Sequence, residues 1–147
     1  MVFARDWHTL ATASSDHTVI LWDLTDPTRP QRLGQPLRHS GYVTSVAFAP
    51  DGHTLATADF GGTVILWDLT DRNRPHLLGQ PLTGHTRPVT VVYARDGHTL
   101  ATASSDHTVI LWDLTDPTRP QRLSQPLDHG APIDGVDVAG ATLRTLP

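Results

Sequence analysis

Apolar and polar positions alternate along the chain in short runs set off by turn-forming residues. In the middle of the sequence, "VTSVAFA" (43–49) is rich in β-branched and aromatic residues and reads as a strand. "PDGHT" (50–54) is a tight turn in which Gly52 can take a positive φ. "TLATAD" (54–59) alternates and predicts a second strand, and "FGG" (60–62) a hairpin turn. "TVILWDL" (63–69) is apolar at neighbouring positions, as a strand covered on both faces must be. After the Pro-limited loop "TDRNRP" (70–75), "HLLGQPL" (76–82) predicts a fourth strand, which Pro81 and its polar neighbours confine to an edge.

This pattern recurs. Trp22, Trp67 and Trp112 are 45 residues apart, and "TLATASSDHTVILWDLTDPTRP" at 9–30 returns unchanged at 99–120. A fixed period of this length marks a repeat architecture. Each unit is a small antiparallel sheet that must stack on its neighbours to bury its faces, as propeller blades do around a central channel. The expected fold is therefore all-β, with third strands near 18–24, 63–69 and 108–114. The units divide as 1–38, with a truncated first strand from Val2 or Phe3, then 39–82, 83–127 and a partial fourth at 128–147. In that last unit His129 matches His39 and "IDGVDV" matches "VTSVAF", but no Trp-Asp pair follows. Three blades do not close a ring. The sequence predicts either a fragment of a longer propeller or copies that associate through "VILW" at 19–22 and 109–112.

Composition narrows the function classes. The net charge is −4, so no basic field holds nucleic acid or an acidic membrane. Every acidic residue is Asp and every basic one Arg, and twelve Pro and eleven Gly punctuate the chain; both disfavour surface helices. The absence of cysteine excludes disulfides, thiolate metal sites and a Cys nucleophile. "MVFARDWHTL" lacks the apolar core of a signal peptide, and no run approaches the ~18 apolar residues of a membrane span. The expected location is the cytoplasm.

The unit resembles the WD repeat of β-propeller proteins. "LWD" at 21–23, 66–68 and 111–113 stands where the family's Trp-Asp pair ends the third strand, and "GH" at 84–85 stands where its Gly-His pair precedes the first. "APDGHTLATA" (49–58) has the family's strand–turn–strand form. The resemblance covers about residues 2–138. It implies a hydrogen-bond chain of His, Asp, Thr and Trp within each blade. The third unit has all four in His85, Thr102, Asp106 and Trp112. The second has His39, Thr57 and Trp67, with Gly61 in the Asp position and Asp59, two residues away, expected to fall short. The first has Thr12, Asp16 and Trp22 and begins too late for its His.

A His–Asp–Thr group also suggests a hydrolase triad, but this Thr sits mid-strand, tied to a Trp, without an oxyanion loop. His8, His53 and His98, with His17 and His107, read as solvent-facing turn residues on separate blades, so no metal site is expected. Arg29, Arg74 and Arg119 recur on one loop face and read as solvated. The opposite loop face carries His39, Ser40, Tyr42, Phe60, His85 and Arg87. There the second unit departs from its neighbours: Phe60 replaces Ser15 and Ser105, and Tyr42 stands where the third unit has Pro88. Tyr42, Phe60 and Arg87 are the candidate partner contacts. The resemblance implies a noncatalytic protein-interaction scaffold with no cofactor or small-molecule substrate, of the kind that bacterial relatives place at the end of larger signalling proteins. The alternative is a self-associating propeller unit or orphan fragment with no partner but itself.

Overall fold

The computed structural model describes residues 1–6, 8–133, 135–139 and 142–146, with side chains to Ile133. Blade 1 comprises β1 (Val2–Phe3), β2 (Thr9–Ala13), β3 (Thr18–Asp23) and β4 (Gln31–Arg38) in sheet order. Blade 2 repeats this with β5 (Val43–Phe48), β6 (Thr54–Asp59), β7 (Val64–Asp68) and β8 (His76–Leu77). Blade 3 has β9 (Val89–Tyr93), β10 (Thr99–Ser104), β11 (Thr108–Asp113) and β12 (Gln121–Arg122), with β13 (Leu127–Asp128) also on β11. All neighbours are antiparallel, and no helix occurs among the described residues.

The partial fourth unit is a pair, β14 (Gly135–Ala139) with β15 (Thr142–Leu146), and β14 packs on β9 and β10. The side chains of these two strands lie outside the described residues.

The fourth strand departs from the expected continuous run over 76–82. Gly79 (φ +65°) turns the chain after Leu77, and contact resumes only at a Val64–Leu82 bridge. In blade 1, β4 crosses the matching bend at Gly34 (φ +68°) with a register shift between Val19 and Leu21.

Burial is concentrated between blades. Leu21, Leu37, Val43, Leu55 and Leu69 fill the joint of blades 1 and 2. Val64, Leu66, Leu82, Leu100, Ile110 and Trp112 fill that of blades 2 and 3. The apolar run of β7 is thus explained: both of its faces meet another blade.

Two polar devices fix the spacing. A Cβ on Gly34 would stand 2.9 Å from the carbonyl oxygen of Asn73, and one on Gly79 would stand 2.7 Å from that of Thr118. Each glycine is therefore a seat for a loop of the following blade. Blade 3 has Ser124 at the matching position, outside the left-handed region. The second device is a bulge: β5 slips register between Val43 and Ser45, and the extra Thr44 donates its hydroxyl to the carbonyl of Val89 in blade 3 at 2.7 Å.

Candidate functional site

Each tryptophan of the third strands donates its indole N–H to a threonine on the second strand. The distances are 3.0 Å for Trp22–Thr12, 2.9 Å for Trp67–Thr57 and 3.0 Å for Trp112–Thr102. In blade 3 the Thr102 hydroxyl lies 2.8 Å from His85 Nε2 and 3.4 Å from the carbonyl of Ile110, so the shorter contact takes its proton. His85 Nδ1 then donates to Asp106 Oδ2 at 2.9 Å, which fixes the tautomer. Asp106 Oδ1 accepts from the Thr108 amide (3.0 Å) and hydroxyl (2.6 Å), and Oδ2 also accepts from the Thr86 amide (3.1 Å). Burial disfavours the Asp106 anion. The bonds from Thr108, His85 and Thr86 outweigh it and bring the carboxyl down to about 2.

Blade 2 overturns the expectation for Asp59. His39 Nε2 meets the Thr57 hydroxyl at 2.5 Å, and Nδ1 meets Asp59 Oδ2 at 3.0 Å. Thr57 and Asp59 are two apart on β6, so both side chains leave the same face and bracket the imidazole. Asp59 Oδ1 accepts from the amides of Gly61 and Thr63, each at 3.0 Å. The carboxylate has moved from the hairpin to the strand end and serves the same groups, and it is the most deeply buried charge of the network, only 1 % exposed.

Blade 1 holds an incomplete set. Asp16 Oδ1 accepts from the Thr18 amide (3.0 Å) and hydroxyl (2.6 Å), and the hydroxyl bond holds its carboxyl below the usual range. Among the described residues no histidine joins it to Thr12.

These networks hold the hairpin turns that form one loop face. His39 and His85 lie buried in these networks and are not exposed on that face. Tyr42 and Phe60 remain as large exposed rings, 54 % and 57 % accessible. They meet edge to face with centroids 6.0 Å apart, and the Phe60 amide donates to the Tyr42 carbonyl at 2.8 Å.

His17 of blade 1 extends this row, its ring 5.5 Å from Tyr42. It is half-buried at φ 75°, not a separate solvent-facing turn residue as expected from the sequence. The signal was its place in the repeat: His17 aligns with Gly62, also at positive φ, in the hairpin next to the entry of the following blade. Arg87 is exposed and gives its carbonyl to the Ser104 hydroxyl (3.2 Å), but no interaction among the described residues joins its side chain to these rings.

The opposite face carries Arg29, Arg74 and Arg119, all exposed. Arg119 borders an open groove of about 380 Å³ between blades 2 and 3, lined also by Trp112 and Arg122. Arg122 lies over the Trp112 ring at 5.5 Å, as Arg32 does over Trp22 at 5.6 Å; blade 2 has Leu77 there. No group of three His, Asp, Glu or Cys among the described residues is placed to hold a metal ion. No helix among them is long and apolar enough to cross a membrane.

A family model described as "WD domain, G-beta repeat" matches residues 4–23, 32–68 and 77–113. No curated protein matches the chain. Among solved structures, the chain is similar to one titled "Structure of U3-55K", with a TM-score of 0.77 and 22 % identity over 95 % of this chain. The match spans 42 % of that structure's chain.

Proposed function

Since the chain belongs to the WD-repeat family, whose members generally serve as platforms for protein–protein contacts, we propose that it is a noncatalytic interaction module whose recognition surface is the loop face bearing Tyr42 and Phe60. One observation carries the reading: two exposed aromatic rings, Phe60 on the β6–β7 hairpin and Tyr42 on the β4–β5 connection, stand together beside the buried blade 2 network, with His17 next to Tyr42. Rigid aromatic anchors lose little entropy on binding and tend to dominate interface energy. The partner is a protein segment that lays an apolar or aromatic side chain against this row. We read the module as the interaction end of a larger cytoplasmic signalling or regulatory protein of bacterial type; the 42 % of the structural neighbour's chain that the match spans supports its being part of a larger propeller. An arrayed peptide library screened with the wild type and with Phe60→Ser tests it. Peptides captured by the wild type should bind the variant about 5- to 30-fold more weakly, with the urea midpoint unchanged. Equal capture by Phe60→Ser, with loss on Arg74→Ala, would move the site to the opposite face.

A further inference from the structure

We infer that the groove between blades 2 and 3 binds an acidic peptide segment, with Arg122 and Arg119 taking the carboxylate or phosphate of one of its side chains. This site is separate from the Tyr42–Phe60 surface and does not rest on that reading. The groove holds about 380 Å³, at the lower end of the range that small-ligand sites occupy. Its apolar walls are Pro81 and Leu82 of blade 2 and Trp112 and Pro120 of blade 3. Its two charges are Arg119 and Arg122, and no residue lining it is acidic. Both blades of this joint lie wholly within the described residues.

Arg122 is held in place although it is exposed. Its guanidinium lies over the Trp112 ring at 5.5 Å and donates from Nη2 to the Thr83 carbonyl at 3.2 Å. It reaches that carbonyl across Gly84 (φ +138°), where a Cβ would collide with Nη2. The repeat itself does not demand a glycine before the histidine: His39 follows Arg38 and His129 follows Asp128. At the joint of blades 1 and 2, Arg38 stands in the place of Gly84 and Leu77 in that of Arg122. Gly84 and Arg122 thus belong together: the bare backbone of the one is the seat of the other.

The contacts that hold Arg122 leave its charge unanswered. The chain carries 15 Asp, and Arg72 stands 3.6 Å from Asp6, yet among the described residues no carboxylate pairs with Arg119 or Arg122. Asp116 opens the same loop, but its Oδ1 is taken by the Thr118 hydroxyl (2.6 Å) and amide (3.0 Å). Those two bonds hold its carboxyl below the usual range, and Arg119 adds the least. Beyond the bond to Thr83, the N–H groups of Arg122 have no partner among the described residues. A planar fork fixed in this way is preorganised for paired bonds to an oxyanion. Pro81 and Pro120 beside it offer apolar contact to the residues that flank the anion in a peptide.

Fluorescence anisotropy of the full chain with three fluorescein-labelled peptides tests the inference. The peptides share Ala-Pro flanks and carry Glu, phosphoserine or Gln at the centre. The Glu or the phosphoserine peptide should bind about tenfold more tightly than the Gln peptide, and the better of the two identifies the anion. Added NaCl should weaken that binding. Arg122→Leu gives blade 3 the residue that blade 2 pairs with its own tryptophan, so the urea midpoint should hold while affinity falls about tenfold. Arg122→Lys should recover only part of the loss, because it restores the charge without the fork. Arg119→Gln should weaken binding in the same direction, and Phe60→Ser should leave it unchanged. Equal binding of the Gln peptide, no binding of either charged peptide, or wild-type affinity in Arg122→Leu would each overturn the inference.

Discussion

Residues 9–30 and 99–120 are the same sequence in two neighbourhoods, and they do not share the same fate. Both stretches form the same two strands in the same register, and both make the Trp–Thr bond at 3.0 Å. Yet Thr102 and Trp112 are buried where Thr12 and Trp22 are half-buried. Asp106 holds a histidine and Asp16 does not. The strand pairing belongs to the repeat; the burial and the closed network belong to the preceding blade. A blade of this kind is stable in proportion to what its neighbour supplies.

The largest effect should come from the middle blade, where both neighbours are present. Asp59→Ala leaves His39 Nδ1 and two amides without their acceptor in a buried site. It should cost about 2–4 kcal/mol in urea unfolding. A cost below that of Asp106→Ala would show that the strand-end carboxylate is a weaker substitute. Next, Thr102→Val strands both the His85 ring and the Trp112 indole and should cost about 2–3 kcal/mol, whereas Thr12→Val should cost less than about 1. Equal costs in the two copies would break the comparison, since it attributes the difference to the neighbour. Trp112→Phe should lose about 1–2 kcal/mol and Trp22→Phe measurably less, read from the same urea midpoints.

The smallest effect concerns pH. The Asp106 carboxyl lies near 2 in the fold against an ordinary 3.8, so between these values the unfolded chain binds more protons. Its stabilisation is full above about pH 4 and is lost as the pH falls through about 2. Replacing Asp106 with Asn should flatten the fall in stability over that window, measured by thermal melts at stepped pH. An unchanged slope would remove Asp106 as its source.

Much of this was legible in the sequence. "VILWD" could only be a strand covered on both faces, and three copies in phase located the third strand of every blade. The four-residue network of blade 3 followed from matching positions. Asp59 was misread because the comparison was made by position in the repeat; the two-residue periodicity of the strand, which puts it on the face of Thr57, was the better guide. Thr44 was barely legible. A bulge adds one residue to a strand without altering its composition, and only the His39–His85 spacing of 46 against the repeat of 45 hints at it. His17 was missed because its significance depends on Tyr42 of another blade, a contact that exists only once the blades stack.

That blades 2 and 3 each take their histidine from the segment before them also gives assembly a direction in time. His39 leaves the ribosome 18 residues ahead of Thr57, and His85 leaves 17 ahead of Thr102. At about 5–20 residues per second, a growing chain carries each imidazole ahead of its receiver by roughly one to four seconds. In that interval the finished blade can already hold the exit backbone, as blade 1 holds the His39 amide through His17. Synthesis from the N-terminus thus presents blades 2 and 3 each with a histidine already in place before its receiving strand emerges.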